Sequence, residues 1–368
     1  MLIIGGGPAG STCAGRLRAG GLNVLVIDRA EFPRPKVCAG WVTPAVFREL
    51  DMTPEEYGHG RVLQPMTGFR VGRIGGEGLV VSSRHPMSFG VRRSEFDDCF
   101  LRRSGARLCL GEPVRAIRPA ENAWIVNERF EAPVLVAAGG HFCPVARLLK
   151  IPDGGRGPLV LSQEIEFEMD PAAWAECPVR PEVPEIYFCD DLLGYGWCIR
   201  KGNYLNVGLG RVDRRRLPEH VAHFCDTLRR QGRIRCRLPE PLPGHAYLLY
   251  EQSTRPLVAD RLLWVGDAAG LAYSASGEGI RPAIESGLLA AETILAARGD
   301  YRRDRLDPYR RRIEARLGTR AARPPVEGPP SRLRQGLARW LLRRRWFVRH
   351  ALLDRWFLHV KEPPLEVM

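Results

Sequence analysis

The sequence predicts an α/β fold: a discontinuous Rossmann-type domain, a second domain built on an antiparallel sheet, and a helical C-terminus. Three observations predict it. The chain opens on strand, glycine turn, helix and strand within its first 30 residues. Alternating apolar and polar runs take over near residue 159. A buried apolar run, Leu262-Leu263-Trp264-Val265, then returns some 260 residues after the first strand.

Met1-Leu2-Ile3-Ile4 is read as a short buried strand. A helix spans 8–19 and is stopped by Gly20-Gly21. The apolar run 22–27 ends at Asp28, which completes a βαβ unit with a parallel strand pair. The stretch 32–43 is punctuated by Pro and Gly. Residues 66–72 and 77–82 read as a hairpin around Gly75-Gly76. A helix begins at Ser94 and runs to about 104, and 108–117, 124–126 and 134–138 read as strands. Alternating runs such as 161–167 predict an antiparallel sheet, interrupted by a helix at 218–230. Helices at 279–298 and 302–317 follow, then a breaker-rich linker over 323–330 and a basic, aromatic helical tail. The expected domains are 1–61, 92–158 and 255–300 for the Rossmann-type unit, 62–91 and 159–254 for the sheet domain, and 301–368 for the helical region.

The 368 residues are 45% hydrophobic and 26% charged, the balance of a globular enzyme. The net charge of +13 is carried almost wholly by Arg and concentrates near the C-terminus. No nucleic-acid-binding motif accompanies it, so no nucleic-acid partner is expected. The ten cysteines show neither Cys-x-x-Cys nor zinc spacing, and His141 and Cys143 have no further ligands beside them, so no metal is expected. Scattered single thiols, no basic leader and no apolar run of ~18 residues point to a cytoplasmic protein.

Two motifs carry the chemistry. Gly5-Gly6-Gly7-Pro8-Ala9-Gly10 lies between a strand and a helix. Gly5 allows the turn, Gly7 lets backbone approach a pyrophosphate, and Gly10 lets helix pack on strand. The phosphates then meet the helix N-terminus, where free N–H groups favour anions. Asp28, with Arg29 beside it, ends the next strand, where a carboxylate binds ribose hydroxyls. Far downstream, Trp264-Val265-Gly266-Asp267-Ala268-Ala269-Gly270 delivers an acid at the end of a strand. Asp267 reads either as a helix N-cap or as the group that holds a ribityl chain. Paired with the first motif it specifies FAD.

The motif at 266–270, followed by Ser276-Gly277-Glu278-Gly279-Ile280, resembles the geranylgeranyl reductase family of FAD-dependent oxidoreductases, in the p-hydroxybenzoate hydroxylase superfamily. Pro35-Lys36-Val37-Cys38-Ala39-Gly40 resembles the family's Pro-x-Lys-x-Cys-Gly loop. Arg93-Ser94-Glu95-Phe96-Asp97 resembles its Arg-x-x-Phe-Asp helix start, and Gly194-Tyr195-Gly196-Trp197 with Lys201-Gly202 and Asn206-Val207-Gly208-Leu209-Gly210 its substrate-domain motif. The resemblance implies FAD contacts at Lys36, Cys38, Ala39, Gly40, Arg93, Gly266, Asp267, Gly277, Gly279 and Ile280. It places Cys38 beside the flavin, as a proton relay or as a packed thiol. Tyr195 and Trp197 then line a substrate pocket or belong to the core. Three departures stand out. Ile199-Arg200 occupy the place of Phe-Pro. Leu271-Ala272-Tyr273-Ser274 stand where Asn-Pro often follows. Ala137-Ala138-Gly139-Gly140-His141 replaces the superfamily's Asp-Gly motif. The last leaves the electron donor between NAD(P)H and a ferredoxin-like carrier protein.

The expected activity is hydride transfer from flavin N5 to a carbon–carbon double bond of an apolar small-molecule substrate, prenyl-type or related. The alternatives are an aromatic monooxygenase or halogenase-like enzyme and a non-catalytic flavin-binding protein. The tail 331–360 spaces Leu, Trp and Phe at helical intervals among many arginines. It fits either peripheral contact with a membrane or packing on its own protein.

Overall fold

The computed structural model describes residues 1–151, 159–212, 216–320 and 331–365. The linker predicted at 323–330 lies outside the described residues. The short apolar runs assemble into one six-stranded sheet, ordered Val258–Ala259, Leu262–Trp264, Leu135–Ala137, Leu2–Ile4, Leu25–Ile27, Arg107–Cys109. All neighbours are parallel except the edge strand Val258–Ala259. Strands buried on both faces read as continuous apolar runs, which is why three residues suffice to mark each one. The returning run Leu262–Trp264 pairs with Leu135–Ala137, so sequence-distant segments share this sheet.

Helices Pro8–Ala19 and Ile280–Ala296 cross in close contact. A Cβ on Gly287 would lie 2.4 Å from the Ala9 carbonyl oxygen, so the approach requires glycine there. The expected strand 108–117 is in fact two. Arg107–Cys109 belongs to the parallel sheet, and Ile117–Pro119 joins an antiparallel sheet with Trp124–Val126 and Phe130–Ala132. Gly111, at φ +70°, and Pro113 break the run between them.

The second large sheet has seven strands, ordered Gly244–Leu248, Leu159–Glu168, Tyr204–Arg211, Gly194–Lys201, Glu185–Phe188, Gly68–Arg73, Leu79–Ser82. It is mixed rather than purely antiparallel. Glu185–Phe188 runs parallel to Gly68–Arg73, because these neighbours come from separate parts of the chain rather than from a hairpin. The stretch 62–91 is shared: Ser88–Val91 pairs with Leu63–Met66 on one side and with Trp41–Val42 on the other, in a three-stranded sheet of their own. Helix Leu217–Arg230 lays Val221, Phe224 and Leu228 against the large sheet.

The tail is two segments, not one. Arg332–Leu341 is an α-helix with no buried residue, and Phe347–Phe357 is a wider π-type turn sequence. Val348, Leu352, Leu353 and Phe357 of the second pack on Phe69, Val71, Val81 and Ile186 of the sheet. Three consecutive exposed arginines, 343–345, divide the two. Packing on its own protein therefore holds for the second segment only.

Candidate active site

The first strand delivers the chain into a turn at Gly5, φ +111°, where a Cβ would sit 2.4 Å from the Ala138 carbonyl oxygen. Gly7 begins helix Pro8–Ala19 without a side-chain cap, so the first amides are left for an anion. Gly10 packs inward: its Cβ would be 1.9 Å from the Gly5 oxygen. Asp28 accepts from the Gly6 amide at 2.7 Å and the Ala30 amide at 2.9 Å, which fixes its carboxylate beside the turn.

These groups open onto one cavity of about 750 Å³. Its walls include Gly5, Gly7, Pro8, Ala9, Asp28 and Arg29 from the first βαβ unit, Lys36, Cys38 and Ala39 from the loop, and Arg93. Gly266, Asp267, Gly277, Gly279 and Ile280 join them from the returning strand and the helix after it. Tyr195 and Trp197 come from the large sheet. Two expected contacts do not line it. Gly10 serves the helix–strand approach, and Gly40 turns toward Val91 and Lys201, where a Cβ would lie 2.2 Å from the Val91 oxygen. The bare helix start, the fixed Asp28 carboxylate and the glycine walls fit a dinucleotide.

Asp267 sits on the turn Gly266–Ala268 just past the strand, and the Gly266 amide donates to Ser286 Oγ at 2.9 Å. Its carboxylate lies 3.7 Å from His245 Nε2, which is 2.8 Å from Lys36 Nζ. Burial pushes Lys36 down to about 8, with Asp267 opposing and Arg93 assisting. Burial also holds His245 below its ordinary value against the pull of Asp267. Burial alone would raise Asp267, but the His245 hydrogen bond and the His245, Lys36 and Arg93 charges outweigh it and lower it.

The 36–40 loop is clamped to the large sheet. Cys38 N–H donates to Glu164 Oε1 at 2.5 Å, and Asn206 Nδ2 donates to the Cys38 carbonyl at 3.1 Å. Asn206 in turn accepts from Trp197 Nε1 at 2.7 Å. Buried Lys201 donates to Glu166 at 2.5 Å and to the Val91 carbonyl at 3.0 Å behind the same loop. Burial pushes Glu164 up to about 7, offset in part by the Cys38 amide and Lys201. Arg93 forms a two-point pair with Asp97 at 2.9 and 3.0 Å. Burial disfavours its charge, yet Asp97 and Cys38 beside it hold it above the usual guanidinium range.

Tyr195 donates to the Ser276 carbonyl at 2.6 Å, so its ring is presented with the hydroxyl satisfied. Around it stand Trp41, Ile186 and Phe357, all lining the cavity. Phe357 meets Tyr195 edge-on at 5.4 Å and stacks on Trp41 at 5.6 Å. Sequence reasoning missed His245, Glu164, Trp41 and Phe357, and met Asn206 only as part of the substrate-domain motif without a role of its own. For Glu164 the signal was present in part: Ser162, Glu164 and Glu166 share one face of a strand whose other face carries Leu161, Gln163, Ile165 and Phe167. Alternation alone does not say that this polar face is covered.

A family model described as an NAD(P)-binding Rossmann-like domain matches residues 3–37. An uncharacterized protein of Methanosarcina barkeri is 30% identical over 80% of this chain and 74% of its own length. A menaquinone reductase of Mycobacterium tuberculosis is 29% identical over 80% of this chain and 76% of its own. Digeranylgeranylglycerophospholipid reductase 1 of Methanosphaera stadtmanae is 28% identical over 84% and 78%. Among solved structures, a geranylgeranyl bacteriochlorophyll reductase-like protein from Thermoplasma acidophilum superimposes with a TM-score of 0.74 at 21% identity, over 96% of this chain and 89% of that one. The flavin-dependent brominase Bmp2 has the same fold, with a TM-score of 0.69 at 20% identity over 98% and 92%. The glycine turn, the returning Asp267 strand and relatives aligned along most of the chain lead to one assignment: this protein is an enzyme of the geranylgeranyl reductase family of FAD-dependent oxidoreductases.

Proposed function

We propose that this enzyme reduces carbon–carbon double bonds of an apolar, prenyl-type substrate. The observation that carries the reading is the shared cavity. The walls suited to a dinucleotide continue into an aromatic compartment of Trp41, Ile186, Tyr195, Trp197 and Phe357, with Cys38 on the same surface. Relatives named for prenyl-lipid and menaquinone reduction support it.

Bound and reduced FAD supplies a hydride from N5. The chain does the rest. The Gly7 and Ala9 amides at the helix start would hold the pyrophosphate, Asp28 and Arg29 the ribose end, and Asp267 the ribityl hydroxyls. Lys36, Ala39 and Arg93 would flank the ring system, and the Gly279 and Ile280 amides would present positive dipoles to its polar edge, since the Gly277 amide donates to the Tyr273 carbonyl and the Glu278 amide to Ser276 Oγ. The aromatic compartment orients the alkene and excludes water. The double bond gains one hydride and one proton. Cys38 Sγ gives the proton, Arg93 beside it steadies the thiolate that remains, and water restores the thiol.

The test is a single anaerobic turnover of reduced enzyme with a geranylgeranyl lipid or a menaquinone, read by mass spectrometry. A gain of two hydrogens per double bond supports the reading. No gain with any prenyl substrate, or insertion of oxygen in air, overturns it.

A further inference from the structure

From Ser331 to Leu353 the chain carries seven arginines and no acidic residue. Within helix Arg332–Leu341, Leu333, Leu337, Trp340 and Leu341 fall on one face at i, i+4, i+7 and i+8. That face is uncovered: Leu333 is 87% exposed, Leu337 56% and Trp340 52%, and Trp346 beyond the helix end is 70% exposed. The helix is nonetheless held in place. Arg344 lies 4.5 Å from the Trp340 ring centre, Arg345 donates to the Val80 carbonyl at 3.0 Å, and Phe347–Phe357 is packed on the sheet.

We propose that Arg332–Leu341 together with Trp346 is a docking surface for an anionic lipid bilayer, a proposal that rests on the prenyl-lipid reading of the substrate. An apolar stripe with two tryptophans suits the headgroup boundary, and the flanking arginines match anionic headgroups. A second copy of this chain is a poor occupant, because symmetric pairing sets arginines against arginines. Nucleic acid answers the charge but leaves the leucines and tryptophans without an apolar partner. From this helix the chain continues through the packed segment to Phe357, a wall of the aromatic compartment. Docking there ties the substrate end of the cavity to the membrane that holds a prenyl lipid.

The experiment is co-sedimentation of the full-length, FAD-loaded protein with vesicles of phosphatidylcholine alone and of phosphatidylcholine mixed with phosphatidylglycerol. Binding to the mixed vesicles, weaker by roughly tenfold or more on neutral ones and released by high salt, is the expected result. Leu337→Glu and Trp340→Glu should lose it, remain yellow and keep turnover of a short, soluble prenyl substrate. Equal binding to both vesicles, no binding to either, or variants that bind like the wild type would overturn the proposal. So would preferential binding to a DNA duplex or self-association through this face. A wild type that docks on vesicles and reduces no prenyl substrate leaves docking standing and refutes the reaction instead.

Discussion

The Cys38 amide donates to the Glu164 carboxylate across the gap between loop and sheet, and Glu164 is 3% exposed with Oε2 unpartnered. A buried acid thus fixes the backbone of the residue proposed to deliver the proton. Glu164 is a positioning residue, since it does not line the cavity.

Burial raises Glu164 to about 7 from an ordinary 4.5, so between those values the folded chain binds a proton that the unfolded chain does not. Stability from this site is full below about 4.5 and falls as pH climbs to 7. Glu278, also raised to about 7 by burial, acts in the same direction, while His245 acts in the opposite one. The difference between wild type and Glu164→Gln isolates the site. Denaturant titration of the FAD-loaded proteins should show the variant gaining on the wild type from pH 5 to 8, by up to about 3 kcal/mol. A pH-independent difference would contradict it.

Gly10→Val should give a colourless protein. The new side chain overlaps the Gly5 oxygen, so helix Pro8–Ala19 must move off the strand whose turn it completes. Absorbance of the purified variant, before and after incubation with FAD, checks this. A variant that still takes up FAD would show that the helix tolerates displacement.

Cys38→Ala should bind FAD and accept electrons as the wild type does. Reoxidation of the reduced variant by an unsaturated substrate should slow by about 10²-fold, the low end for a lost general acid. Stopped-flow absorbance under anaerobic conditions measures it. An unchanged rate would make Cys38 a packed thiol and nothing more.

NADPH and NADH should reduce the bound flavin slowly. Ala138-Gly139 stands where the superfamily's Asp-Gly motif serves the flavin and nicotinamide, and Ala138 packs directly on the Gly5 turn. Anaerobic bleaching with each nucleotide, compared with a reduced ferredoxin, is the measurement. Fast, saturable reduction by either nucleotide would remove the case for a carrier protein.

The dinucleotide half of the site was legible because its logic is local. Gly5, Gly7, Gly10 and Asp28 act through spacing along one strand–turn–helix–strand unit, and a side chain at Gly5 or Gly10 would meet backbone. Asp267 was legible because an apolar strand announced it. The clamp on Cys38 was not. Glu164 and Asn206 are single polar residues on long strands, 126 and 168 positions from Cys38, and only the pairing of Leu159–Glu168 with Tyr204–Arg211 sets them side by side. Gly40 was read as a cofactor contact from its motif; it is not among the cavity walls, and a Cβ there would meet Val91 and Lys201. The parallel neighbours Glu185–Phe188 and Gly68–Arg73 were hidden for a related reason: alternation reports which residues share a face, not which strand lies alongside.

The return of Leu262–Trp264 to the sheet founded by Leu2–Ile4 has a consequence for biosynthesis. A nascent chain that has emerged only as far as residue 250 already owns the glycine turn and Asp28, but Asp267 and the 277–280 amides are still inside the ribosome. Cofactor capture is therefore a late event. Until the last third of the chain arrives, the first helix has no Gly287 to pack against, and the sheet has an open edge beside Leu135–Ala137. Truncated translation products of this gene should be colourless and prone to aggregate, with colour first appearing in products that extend past the Ile280–Ala296 helix.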